Sequence, residues 1–159
     1  MKHILNAPGG GWELSGYFNY LNSNREAMPT EVFEFALDQR NYDLTSHQSL
    51  HDAWLEWILV SEPATGARSE IRSTQIECRF LGPYHDQFIE IKYLGVSSYK
   101  LLSADQSSTN NAVAHGDLLM HEVRVDGAHV IHEMVFSNGA TFEIMCQTFK
   151  HCLVARDIT

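Results

Sequence analysis

The sequence predicts an α+β domain, with one or two N-terminal helices followed by a curved, mainly antiparallel sheet of six or seven strands or a partly closed barrel. Three observations carry this expectation. Apolar residues recur at helical spacing before residue 40, and the period changes to two from Trp54 onward. Asp126-Gly127 and Asn138-Gly139 then mark tight turns between alternating apolar runs. With 159 residues, 44% apolar and 19% charged, the chain is long enough to bury one core and too apolar to be disordered. A single domain is expected over 1–159, helical over about 12–40 and sheet over about 53–150.

Taken in order, Ser15 is placed to cap a short helix running to about Ser23, with Tyr17, Tyr20 and Leu21 on one face. Pro29 and Thr30 precede EVFEFALDQR, in which Val32, Phe33, Ala36 and Leu37 form an apolar stripe. That segment also alternates as Val32, Glu34, Ala36, so helix and strand both fit 30–39. Leu55, Trp57 and Leu59, interleaved with Trp54, Ile58 and Val60, read as a strand covered on both faces. Ile76, Cys78 and Phe80 define a second strand. Beyond the Gly82-Pro83 turn, Ile89, Ile91 and Tyr93 define a third, and Tyr99 and Leu101 a short fourth. The polar stretch 103–116 reads as a loop.

The hairpins allow registers to be derived. With Asp126-Gly127 as a type I′ turn, Val125 faces Ala128, Val123 opposes Val130, His121 opposes His132 and Leu119 opposes Met134. The other face, holding Glu122, Arg124, His129, Ile131 and Glu133, is then the wetter one. For the next turn, a three-residue loop Ser137-Asn138-Gly139 sets Phe142 against Met134, Ile144 against His132 and Cys146 against Val130. That register joins apolar sets, whereas a one-residue slip separates them.

Charge and cysteine usage narrow the function. Eleven basic and 20 acidic residues give a formal charge of −9, with no basic cluster, which argues against nucleic acid and permits a basic protein partner. Three cysteines, Cys78, Cys146 and Cys152, with no CxxC, suit a reducing compartment. No apolar run is long enough for a transmembrane helix, and MKHILNAPGGGWEL lacks a secretory apolar region, so a cytoplasmic protein without membrane contact is expected. GxSxG, P-loop, GxGxxG and HExxH motifs do not occur.

Nine histidines, several beside carboxylates, are the remaining source of chemistry. The His121/His132 pair is the sharpest candidate, because opposed residues bring two imidazoles close enough to share a metal or a proton. His51, His85, His115 and Asp117 are candidate further ligands. The structural alternative is a pair of neutral core histidines, whose charging is opposed by desolvation and repulsion, so that stability falls below a pH of roughly 6.5. No cofactor is expected on this alternative.

The segments SLHDAWLEW (49–57), LGPYHDQFIEIKYLGVSSYKL (81–101) and HGDLLMHEVR (115–124) resemble small bacterial proteins that carry a Leu-His-Asp motif before a long strand. Some proteins of that kind are immunity partners of secreted or contact-delivered toxins, so the resemblance implies a stoichiometric binding protein and no catalytic residue. The leading expectation is thus a non-catalytic, acidic, immunity-type module that meets a basic partner through Asp117, Glu122 and Glu133 in the acidic stretch from Asp105 to Glu143. The rivals are a metal-binding protein or metalloenzyme centred on His121 and His132, and a homo-oligomer, a homodimer for instance, joined through a sheet face bearing Ile131, Val135 and Met145.

Overall fold

A computed structural model describes residues 1–103 and 115–156. The chain is α+β, with two α-helices and twelve strands among those residues. Helix α1 covers Ser15–Ser23 and α2 covers Thr30–Leu37, so 30–37 is helical. Ser15 is the first helical residue and not the cap; its hydroxyl donates to Glu13 instead. The α2 helix buries Val32, Phe33, Phe35 and Ala36, with Phe35 in the core and Leu37 of the expected stripe half-buried.

The strands form two four-stranded and two two-stranded antiparallel sheets, where one curved sheet or barrel was expected. The small sheets pair β1 (Leu5–Asn6) with β2 (Trp12–Glu13) and β4 (Ala64–Thr65) with β5 (Ile71–Arg72). The first large sheet has the order β8-β11-β10-β9, from Ser98–Leu102, Thr141–Cys146, His129–Phe136 and Leu118–Asp126. The second has the order β12-β7-β6-β3, from Thr148–Ala155, Gln87–Leu94, Gln75–Leu81 and Trp54–Ser61.

A sharp corner explains the extra sheet. Strands β7 and β8 are separated by Gly95–Ser97, and β11 and β12 by Gln147 alone. The Gln147 amide donates to the Leu94 and Gly95 carbonyls, which locks the two bends together. Unequal numbers of residues at the two bends break the ladder, as at corners where strands switch sheets. Gly95 sits there at φ 62°, and a Cβ on it would meet the Gln147 side chain at 2.6 Å. The inner faces of both sheets and the apolar sides of the helices join in one core, which includes Phe35, Phe80, Ile91, Tyr93, Ile144 and Phe149.

The second hairpin has the expected register, with Met134 opposite Phe142, His132 opposite Ile144 and Val130 opposite Cys146, and Gly139 at φ 89°. In the first, the turn residues are Gly127 and Ala128, and Asp126 stays in the strand opposite His129. Only Gly127 of the two has positive φ, the pattern of a type II′ turn. Pairing is therefore displaced by two residues: Val123 opposes His132 and His121 opposes Met134. A shift of two keeps every side chain on its expected face.

Two further expectations are corrected. The face expected to be wet is in part covered: Glu122, Arg124 and Ile131 are buried, and the backbone amides of His3 and Ile4 close over Glu122. The β3 strand, expected to be covered on both sides, is an edge strand with Trp54, Leu59 and Val60 exposed. The β9 edge of the first sheet meets the start of β3 through the Trp54–Asp117 bridge and is further protected where the Tyr17 hydroxyl accepts from the Val123 amide at 2.8 Å and Tyr20 accepts from Val125 at 2.9 Å. The expected loop at 103–116 falls mostly, and Asp105 entirely, outside the described residues.

Candidate interaction surface

The histidine pair is in contact, though as diagonal neighbours. His121 Nδ1 and His132 Nε2 are 3.1 Å apart, and the Tyr93 hydroxyl is 2.7 Å from His132 Nδ1. All three side chains are buried. The best-satisfied arrangement has Tyr93 O–H donating to His132 Nδ1 and His132 Nε2–H donating to His121 Nδ1. It leaves one N–H, on His121 Nε2, without an aligned acceptor. The reverse orientation strands both a hydroxyl proton and a ring lone pair. Burial pushes the His121 ring down to about 3 despite the nearby Asn41 carbonyl, and burial plus its neighbour holds His132 well below 6.5. Tyr42 stacks on His121 at 4.6 Å between ring centres, and Phe149 on His132 at 5.4 Å. The pair is thus a neutral, aromatic-lined core element.

The other metal candidates are dispersed. His51 Nδ1 lies 3.0 Å from Asp52 Oδ1 without hydrogen-bond alignment. His85 packs edge-on against Trp54, and His115 against Phe136 and Phe142. Asp117 is held in backbone pairing with Trp54 and accepts at its carbonyl from Ser137. Among the described residues no three His, Cys, Asp or Glu side chains are grouped to hold a metal.

Nor do the acidic candidates form one open patch. The Glu122 carboxylate accepts the backbone N–H groups of Lys2, His3 and Ile4 at 2.7–3.0 Å. Glu133 accepts from the Met1 ammonium at 2.7 Å and from Arg124 at 2.6 Å, while Arg124 also donates to Glu143 at 2.8 Å. These charges clamp the N-terminal segment onto the first sheet, and Glu122 has no surface to offer a partner.

What sequence reasoning missed is the outer face of the second sheet. Its strand registers form a grid. One row, Val154, Phe88, Leu81 and Trp54, is apolar across all four strands. The next holds Cys152, Glu90, Arg79 and Trp57, and the third Lys150, Lys92, Glu77 and Leu59. Each row is partly or well exposed, with Trp54 at 47% and Leu59 at 52%. Arg79 lies over both Trp57 and Phe88 at 5.3 and 4.9 Å and pairs with Glu90; Lys92 pairs with Glu77 at 2.7 Å. The row continues into the β6–β7 turn, where Tyr84 stacks on His47 at 4.1 Å and His47 Nδ1 sits 2.6 Å from Asp86. Trp, Tyr and Arg set around a partly apolar centre are the composition of binding hot spots. The signal was available: Phe88 and Leu94 occupy the polar phase of a strand whose other phase is already apolar.

Searches of protein-family models, curated proteins and solved structures gave no match to this chain.

Proposed function

We propose that this chain is a non-catalytic protein-binding module that engages its partner through the outer face of the β12-β7-β6-β3 sheet. The observation that carries the reading is the partly exposed apolar row Val154–Phe88–Leu81–Trp54, flanked by Trp57 and Arg79. An antiparallel sheet facing water on one side ordinarily presents polar residues there. The four residues of this row interrupt that pattern on every strand, which makes the face a contact surface. An immunity-type role is one form of this reading. The charge of −9 would draw a basic partner by long-range attraction, while the aromatic face supplies the short-range contact energy. The free thiols of Cys78, Cys146 and Cys152 support a reducing, cytoplasmic setting. No helix among the described residues is long and apolar enough to cross a membrane.

The test is a photo-crosslinking amino acid placed at Phe88 in the whole chain, with Tyr99 of the other sheet as control. Both side chains reach solvent. Protein adducts are expected from position 88 and not from 99. Equal adducts at both positions, or none at 88, overturn the assignment of the face.

A further inference from the structure

Resting on the reading of this face as a protein contact, we infer that the partner it takes in the isolated protein is a second copy of the chain. The two copies are related by a two-fold axis that runs along the strands, between β6 and β7. Charge complementarity under symmetry selects this axis. Such an axis leaves the rows of the grid in place and exchanges the columns, so that β7 of one copy lies over β6 of the other and β12 over β3. Lys92 then faces Glu77 of the second copy, and Glu90 faces its Arg79. Phe88 meets Leu81, Val154 meets Trp54, and Cys152 meets Trp57. Each central charge finds an opposite charge and each apolar residue an apolar one. Lys150, which meets the aliphatic Leu59, lies at the rim, where Glu31 of α2 already holds its ammonium at 3.6 Å.

The electrostatics of the rest of the chain point the same way. Two copies of a −9 chain repel, and the repulsion is least where they meet through a face without net charge. The two central strands of this face carry Arg79, Lys92, Glu77 and Glu90, which sum to zero. On the first sheet's outer face the N-terminal segment already holds Glu122 of β9 and Glu133 of β10. Strand spacing of about 4.8 Å and a rise of about 3.3 Å give roughly 450 Å² of flat face per copy, about 900 Å² for the pair. An area of that size suits a reversible, concentration-dependent dimer.

The test uses charge reversal and mixing, read by sedimentation velocity over about 5–500 µM protein, the range in which a contact of this size dissociates. Wild type is expected to pass from monomer to dimer. Arg79→Glu places two acids opposite each other across the axis, and Glu90→Arg places two arginines there, so each variant alone is expected to stay monomeric. Mixed together, Arg79→Glu and Glu90→Arg restore both opposed pairs and are expected to form a 1:1 heterodimer. Trp54→Ser changes no charge at an exposed edge position and is expected to weaken the dimer about tenfold. It keeps the inference testable if a charge variant misfolds. Wild type that remains monomeric throughout overturns the inference. So does a wild-type dimer that is indifferent to Trp54→Ser, or a mixture that does not associate. Should wild type stay monomeric while position 88 still crosslinks to a different protein, the second copy is refuted and the contact surface stands. If position 88 captures nothing, both fall.

Discussion

Acidification from pH 7.5 to 5.0 tests the buried histidine pair most directly. In the fold both rings are neutral, because burial lowers His121 to about 3 and holds His132 well below 6.5. In the unfolded chain each ring takes a proton near 6.5. A group whose folded value is depressed in this way binds more protons when unfolded, so its contribution is complete above about 6.5 and declines as the pH falls toward the folded value. At pH 5.0 the loss is about 2 kcal/mol per ring, or about 4 kcal/mol for the pair. The figure is insensitive to the folded values so long as both lie well below 5. Among the described residues, Tyr93, Tyr42, Phe35 and Phe149 line the pair. His151, packed beside Phe35, is also lowered by partial desolvation and adds a smaller loss of the same sign. Glu133 and Asp38, held low by their hydrogen-bonded partners, lose stabilisation only at more acid pH. Urea unfolding followed by tryptophan fluorescence at the two pH values measures the difference. His132→Leu lowers stability at both, since it strands the Tyr93 hydroxyl, yet it should remove about half of the pH-dependent part. A wild-type change below about 1 kcal/mol, or an equal change in His132→Leu, refutes the reasoning.

Two other perturbations address the charged clamp and the thiols. Glu122→Gln removes the negative charge that the backbone donors of Lys2, His3 and Ile4 converge on and turns an amide NH₂ toward the Lys2 amide, and urea unfolding should show a loss of about 2–4 kcal/mol. Faster hydrogen exchange at those three amides should accompany it, and unchanged stability would remove the clamp. Burial pushes the Cys78 and Cys146 thiols up to about 12, whereas Cys152 is exposed. Iodoacetamide near pH 8 should therefore add one group to the native protein and three after denaturation, as read by intact mass. Native alkylation at Cys78 or Cys146 would contradict that packing.

The sequence by itself determined whatever depends on neighbours along the chain. Turn chemistry at Gly139, helical spacing in Tyr17–Leu21, and the period of two in 76–80 and 89–93 are local, and each of these elements stands where the pattern put it, whereas the Asp126-Gly127 turn moved by one residue. The second hairpin's register was legible because a slip of one residue would have turned Phe142, Ile144 and Cys146 away from the core. The first was not, because a displacement of two preserves both faces and apolar matching cannot tell the alternatives apart; His121 and His132 still meet, diagonally. Only the tertiary structure decided which faces are covered. Glu122 and Arg124 sit on a phase that reads as solvent-facing, yet backbone donors from residues 2–4, more than a hundred positions away, arrive to satisfy the carboxylate and bury it. Trp54 and Leu59 read as buried, yet the strand order leaves β3 last in its sheet with both side chains exposed. Periodicity states that two faces differ, but which of them meets another layer is set by long-range topology, and at Trp54 and Glu122 that topology reversed the local reading.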